Sequence, residues 1–342
     1  MRPAPRAPVP SAPVRIFSGI QPTGRKHLGN YIGAILGYLD GQERGDPAIY
    51  CIVDLHATSV SYDPKALPDY VLDTTAMLIA AGLDPERCIL FRQSDVGEHS
   101  ELCWLLSAVT PYGDLQRMTQ FKDKSEREQE LVRTSLFLYP VLQAADILIY
   151  KADQVPVGED QRQHLELARE IARRFNATYG EMFVEPEAVI PKTGARIMDL
   201  QSPDTKMSTT SCTEAGLIYI DDEPEAIVKK IKRAQTDSES DVVRGPDKAV
   251  ITNLIDIYSV ARDASRDEVE REFEGQGYGA FKQAVGDAVA ELLAPVRERY
   301  GELRADEDAL ERTLRAGADR ARELAVPTMA EVHSAMGLAP RA

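Results

Sequence analysis

Ile16-Phe17-Ser18-Gly19-Ile20-Gln21-Pro22-Thr23-Gly24-Arg25-Lys26-His27-Leu28-Gly29-Asn30 is the stretch whose reading decides the fold. Val14, Ile16 and Phe17 predict a short apolar strand, and Gly19, Pro22, Thr23 and Gly24 are turn chemistry. From His27 onward, Leu28, Ile32, Ile35, Leu36 and Leu39 recur at helical spacing. A strand that feeds a Gly-rich turn into a helix start makes a phosphate site: the first helical turn has N–H groups without intrahelical partners and the positive end of the helix dipole. Gly24 to Gly29 fits G-x-x-x-x-G, but Asn30 and Tyr31 stand where a P-loop needs Lys and then Ser or Thr, so that motif fails. His27-Leu28-Gly29-Asn30 remains as the candidate.

Outward from this stretch, strands and helices alternate. Ala48–Val53 is a continuous apolar run suited to a buried parallel strand, and it leads into Asp54-Leu55-His56-Ala57. A helix is expected from Lys65 to Ala81, a strand over Cys88–Phe91, and a helix from Glu98 to Leu106 after Gln93-Ser94-Asp95. This alternation predicts an α/β fold with a parallel sheet. Ligands on such sheets sit at the C-terminal strand ends, where Gly19–Gly24, His56 and Ser94 all fall.

Tyr112–Lys124 is amphipathic, and a long helix is expected from Thr134 to Tyr150 with Pro140 inside it. Tyr139, Gln143 and Asp146 share one face of that helix. Asp146 stands amid Ala144, Ala145, Ile147 and Leu148, and a carboxylate in so apolar a setting needs a donor or a cation nearby. Val155–Gln161 reads as another strand-to-helix turn, followed by an amphipathic helix to Phe175. Met182–Met198 reads as short strands, and Ser202–Ser211 as a polar loop. Beyond it, helices are expected at Glu223–Arg233, Lys248–Ala261, Arg266–Phe273, Ala280–Tyr300, Asp306–Glu323 and Thr328–Met336. Residues 1–13 carry five prolines and no acidic residue, and read as an extended or disordered tail that could serve as a partner-binding arm.

The 342 residues, 43% hydrophobic and 28% charged, are enough for two or three domains. No apolar run approaches a membrane span and no secretory signal opens the chain, so a cytoplasmic protein is expected. Cys51, Cys88, Cys103 and Cys212 are scattered, without zinc-ligand spacing, and no protein-bound metal site is expected. A net charge of −15 argues mildly against a nucleic-acid binder, but such footprints are local. Lys229-Lys230-Ile231-Lys232-Arg233 is a compact basic run, either a nucleic-acid contact or a solvated helix face.

Four separated stretches together resemble the bacterial-type tryptophanyl-tRNA synthetases of class I: G-I-Q-P-T-G-x-x-H-L-G-N; M-T-Q-F-K-D-K; A-A-D-I-L-I-Y with V-P-V-G-E-D-Q; and G-A-R-I-M with K-M-S-T-T. The resemblance runs from Val14 to the C-terminus. It implies a Rossmann-like catalytic domain over 14–212, a helical tRNA (anticodon)-binding domain over 213–305, and final helices over 306–342 that pack back on the catalytic domain. It further implies L-tryptophan, ATP with Mg²⁺ and tRNA(Trp) as ligands, and a homodimer.

Residue by residue, the resemblance gives His27 and Asn30 to phosphate oxygens. Gly29 would let adenine approach the backbone, and Gln21, Pro22 and Thr23 would line the same pocket. Gly158, Glu159 and Asp160 would face them across the cleft. Ile197 and the loop Lys206, Met207, Ser208, Thr209 and Thr210 would complete the ATP site, with Lys206 and Lys124 neutralising the departing pyrophosphate. Indole has one polar handle, an N–H donor, and Asp146 would accept it. Phe17, Val155 and Val157 would be apolar walls, Gln143 would stand beside Asp146, and Tyr139, Gln161 and His56 would address the amino and carboxylate ends. Lys229, Lys230, Lys232 and Arg233 would meet tRNA. Two departures stand out: Thr209 replaces the second lysine of the usual K-M-S-K-S, and Gln143 stands where methionine is expected. The rivals are a tyrosine-specific synthetase, and a synthetase-like paralogue that binds tryptophan, tRNA or a protein partner with weak charging activity.

Overall fold

The computed structural model describes residues 14–119, 133–189, 196–209 and 212–339. The Pro-rich tail, Lys124 with most of its motif, and Thr210 lie outside them. Five parallel strands form one sheet in the order β3-β2-β1-β4-β5: β1 (Ile16–Ile20), β2 (Ala48–Ile52), β3 (Ile89–Arg92), β4 (Gln154–Pro156) and β5 (Glu187–Val189). In chain order the helices are α1 (Leu28–Asn30, carried on through a π-helical turn at Tyr31–Ile35 into Leu36–Arg44), α2 (Asp54–Ala57), α3 (Leu67–Ala80), α4 (Glu98–Ser107), α5 (Tyr112–Gln116) and α6 (Thr134–Leu148). They continue with α7 (Arg162–Tyr179), α8 (Pro224–Lys232), α9 (Ala249–Arg262), α10 (Arg266–Glu272), α11 (Gly277–Arg304) and α12 (Glu307–Met336).

The two-residue period of the strands explains why β2 is apolar throughout. Ile16, Tyr50, Ile52 and Leu90 enter one buried cluster, while Phe17, Ile49, Cys51 and Phe91 enter another on the opposite face. The first cluster runs on through Ile218, Ile227, Ile231, Leu254, Phe281 and Leu293. Residues on both sides of position 212 therefore share one apolar core.

One element differs from expectation. Two C-terminal helices are expected, Asp306–Glu323 and Thr328–Met336, yet α12 runs unbroken from Glu307 to Met336 with Pro327 inside it. Proline removes one backbone donor, but both flanks are pinned: Ala318, Ala321 and Ala325 before it and Met329 and Val332 after it are buried in the second cluster. The helix lies against the edge strand β3. Arg320 Nη1 donates to the carbonyls of Pro85 (2.8 Å) and Cys88 (2.9 Å), and Arg92 pairs with Glu311 at 2.9 Å. An otherwise open sheet edge is thus covered.

The approach is so close that a Cβ on Gly317 would stand 1.8 Å from the Leu90 carbonyl oxygen. Gly317→Ala must therefore move helix and strand apart, and it should destabilise the fold by about 3 kcal/mol, the upper end of overpacking costs. Urea denaturation of the two proteins measures this, and equal midpoints would mean the helix does not sit here.

Candidate active site

Strand order reverses between β1 and β4, and the loops leaving their C-terminal ends part there, as doubly wound sheets require at a switch point. A cleft of about 610 Å³ opens at that place. Phe17, Gln21 and Thr23 line it from the β1 side, and His27, Gly29 and Asn30 with the small residues Gly33, Ala34 and Gly37 line it from α1. Val155, Val157, Gly158, Asp160 and Gln161 close it from β4, and Lys206, Met207, Ser208 and Thr209 from above. His56, Tyr139, Gln143 and Asp146 line its remaining wall.

At the α1 end, the turn is made by Gly24 at φ +57°. Lys26 is buried with its Nζ donating to the Gln21 carbonyl at 2.7 Å, and burial lowers its ammonium to about 8 against the opposing pull of Asp73. His27 is also buried, and its Nδ1 has no hydrogen-bond partner among the described residues. Burial, then the charges of Lys26 and Lys206, bring its imidazole down to about 4, so near pH 7 the ring is neutral and acts by hydrogen bonding rather than by charge. Asn30 Oδ1 accepts the His27 backbone N–H at 3.1 Å. A Cβ on Gly29 would stand 3.0 Å from His27 Nδ1 and 3.4 Å from Met207 Cβ, so ring and loop fold over a position only glycine fills without displacement.

The helix start differs from the open anion site expected of it. The Leu28 N–H donates to the Ile218 carbonyl at 2.8 Å, because residues 26–28 are paired antiparallel with 218–220, and the Asn30 N–H closes a local turn on the His27 carbonyl at 2.8 Å. Side chains rather than these amides must meet an anion. Across the cleft, Lys206 Nζ lies 3.7 Å from Asp160 Oδ1. Both groups are about half exposed, which makes the pair weak and leaves the lysine available to a ligand.

The floor is the most strongly built part. Asp146 is 1% exposed and accepts three hydrogen bonds: His56 Nε2 at 2.8 Å, Gln93 Nε2 at 2.7 Å and His99 Nδ1 at 2.7 Å. His99 Nε2 in turn meets the Tyr150 hydroxyl at 2.7 Å. Burial pushes Asp146 up, but the bonds from His56 and His99 more than reverse this and hold it at about 2. An ionised carboxylate only accepts, so Nδ1 of His99 carries the proton between them. Two turns earlier on α6, the Tyr139 hydroxyl pairs with His164 Nε2 at 2.7 Å.

Several expected site residues stand elsewhere. Pro22 is buried and off the cleft surface, and Glu159 points to Arg162, with bonds of 2.6 and 2.9 Å. Ile197 is in the core, and only its carbonyl serves the loop, by accepting the Met207 N–H at 2.9 Å. Lys229, Lys232 and Arg233 line a separate surface groove together with Glu225, Asp287 and Glu291. Lys230 does not share it: its Nζ is 2.7 Å from Asp222 and lies over the Tyr219 ring at 5.1 Å. Gln93, His99 and Tyr150 were not foreseen, since they reach Asp146 only through tertiary contact.

The Asp146 carboxyl protonates near its ordinary 3.8 in the unfolded chain but near 2 when folded. Its network therefore stabilises the fold above about pH 4, and that contribution is lost as the pH falls toward about 2. That difference between folded and unfolded carboxyl corresponds to roughly 2–3 kcal/mol. Asp146→Asn should lose about that much or more at pH 7, because its NH₂ would face donors, and its stability should vary less between about pH 5 and pH 2. Urea denaturation across that range measures both effects, and parallel pH profiles for the two proteins would contradict an ionised Asp146.

Residues 10–294 match the family model described as tRNA synthetases class I (W and Y). The chain is 48% identical over 324 residues to the tryptophan–tRNA ligase of Wolinella succinogenes, covering 95% of this chain and 98% of that one. The tryptophanyl-tRNA synthetase structure from Mycoplasma pneumoniae superposes with a TM-score of 0.87 at 35% identity, over 95% of this chain and 98% of that chain. The Campylobacter jejuni enzyme, solved with ADP and tryptophan, gives a TM-score of 0.82 at 35% identity over 95% and 100%. With a switch-point cleft built from these motifs and a family match spanning most of its length, the chain belongs to the class I tRNA synthetases of the tryptophan and tyrosine branch.

Proposed function

We propose that the protein is a tryptophan–tRNA ligase. It joins the carboxylate of L-tryptophan to the α-phosphate of ATP, releasing pyrophosphate, and passes the tryptophanyl group to the 3′ end of tRNA(Trp). The observation that carries the amino-acid choice is Asp146, a buried, ionised, acceptor-only group on the wall of a cleft whose other faces are Phe17, Val155 and Val157. Indole presents one N–H to such a group, whereas a phenol both donates and accepts. Three donors already fix the carboxylate, so a fourth, from the substrate, meets an acceptor that does not reorient.

The attacking carboxylate is already an anion, so no general base is needed and the work is positioning and charge stabilisation. In this reading neutral His27 and the side-chain carboxamide of Asn30 donate to phosphate oxygens. Lys206 faces the leaving pyrophosphate of MgATP, a role the resemblance also gives to Lys124, and Asp160 and Gly158 hold the nucleoside side. Thr209 offers a neutral hydrogen bond where a second lysine would offer a charge, and charge-assisted bonds are roughly twice as strong. Lys229, Lys232 and Arg233 are the cations available to tRNA on α8.

The test is ATP–pyrophosphate exchange with each of the twenty amino acids in turn. L-Tryptophan alone should support it, and Asp146→Ala should lower kcat/KM for tryptophan by about 10²-fold or more, below the roughly 10⁴–10⁵ seen when one polar group is read, with little change in the KM for ATP. An unchanged constant removes Asp146 from recognition. No exchange with any amino acid favours the non-charging paralogue.

We also infer a homodimer formed through the face that carries Trp104 and Tyr112, which are 76% and 68% exposed although both are large aromatics. Tyr112 rests on Phe137 with ring centroids 5.0 Å apart, extending the patch. Trp104→Glu would bury a charge in such an interface. In sedimentation velocity at micromolar protein, the parent chain should run as a dimer and the variant as a monomer, and two identical profiles would place the interface elsewhere.

A further inference from the structure

The hairpin that presents Lys206 is gripped from outside by the helical region. Met198 and Lys206 face each other as an antiparallel pair. Next to them, the Asp199 N–H donates to the Thr205 carbonyl and the Met207 N–H to the Ile197 carbonyl, both at 2.9 Å. Met198 is thus in the non-hydrogen-bonded position of the ladder, and its own N–H and C=O point away from the hairpin.

One side chain meets both groups. Asn253 Oδ1 accepts the Met198 N–H at 2.9 Å, and Asn253 Nδ2 donates to the Met198 carbonyl at 3.1 Å. Asn253 sits on α9 and is only 4% exposed, so water cannot readily replace it. Its carboxamide carries an acceptor and a donor side by side, which is what the edge of a neighbouring strand would offer. Two further bonds tie the same hairpin to the end of α8: the Gln235 N–H donates to the Leu200 carbonyl at 3.0 Å, and Gln201 Nε2 donates to the Arg233 carbonyl at 3.1 Å.

We propose that Asn253 is a positioning residue for nucleotide: by completing the Met198 edge it sets where Lys206 stands over the cleft, and it links the helical region to ATP affinity. This rests on the reading above that Lys206 meets the phosphates. Nothing in Asn253 reaches the cleft, and its action passes through the hairpin backbone. Alanine at 253 leaves the half-buried donor and acceptor of Met198 unpaired, and the hairpin must shift or twist to find others. Aspartate keeps the acceptor for the N–H but sets a carboxylate against the Met198 carbonyl. The tryptophan wall, Asp146 with Phe17 and Val155, has no part in these contacts.

The experiment is tryptophan-dependent ATP–pyrophosphate exchange with the full-length protein and with Asn253→Ala, Asn253→Asp and Lys206→Met, each checked for folding by thermal melting. Displacing a reacting group by about 1 Å can cost roughly 10²-fold. Asn253→Ala should raise the KM for ATP by roughly tenfold and lower kcat, while the KM for tryptophan moves by less than about threefold. Asn253→Asp should shift the same constants in the same direction, and it decides the matter if the alanine variant does not fold. If Lys206→Met impairs activation but the folded Asn253 variants keep the parent ATP constants, or lose ATP and tryptophan affinity equally, Asn253 is only structural and the proposal is overturned. If Lys206→Met leaves activation untouched, the role assigned to Lys206 fails, and the proposal fails with it.

Discussion

A carboxylate closed off from water has to be paired, and around Asp146 that requirement organises half of the cleft. His56 comes from α2, Gln93 from the turn after β3, and His99 from α4, and all three converge on one side chain of α6. His56 thus follows β2, while Gln93 and His99 both belong to the connection that follows β3. The carboxylate therefore acts as a common anchor for the loops at the C-terminal edge of the sheet. Removing any one partner would leave a buried charge short of a donor, which is costly in a low-dielectric setting. The same saturation keeps Asp146 ionised and fixes its orientation, the two properties needed to read a single N–H.

The opposite end of the cleft follows a different logic. His27 and Lys26 are both buried, and burial strips or weakens their charge: the imidazole falls to about 4 and the ammonium to about 8. Among the described residues that line the cleft, the exposed Lys206 is the cation able to approach a polyanion. A neutral, pre-placed donor beside an exposed charge divides the work on phosphates between orientation and neutralisation. The pairing of residues 26–28 with 218–220 holds the signature turn to the chain that follows the Lys206 loop, so the two halves of the nucleotide site are fastened to each other before any ligand arrives.

The sheet's two apolar faces decide how the rest is attached. One face continues into the helical region without a break in the core, and the other is closed by α4, α6, α7 and the far half of α12. α12 contributes to both: Leu310 and Leu314 pack on the first side, and Ala318 to Val332 on the second. Only a helix with glycine at 317 can cross the edge strand so closely.

The sequence by itself determined what depends on local pattern. The alternation of apolar runs with helical periods specified the parallel α/β class. The turn residues from Gly19 to Gly24 located the signature loop, and an acidic residue inside Ala144–Leu148 marked Asp146 as a site that needed partners. Which partners it found was not legible, because Gln93 and His99 lie 53 and 47 positions away and nothing local marks either as facing it. The same holds for Asn253, whose spacing only says helix, and for Lys230, which the basic run groups with its neighbours but an ion pair with Asp222 takes away. The expected gap between Glu323 and Thr328 does not exist either, because the packing that carries α12 through Pro327 is not visible in the chain. Periodicity and turn propensity act over a few residues and can be read along the chain. Hydrogen-bond partners of buried groups are chosen by which elements the core brings together, and only the tertiary structure decided those.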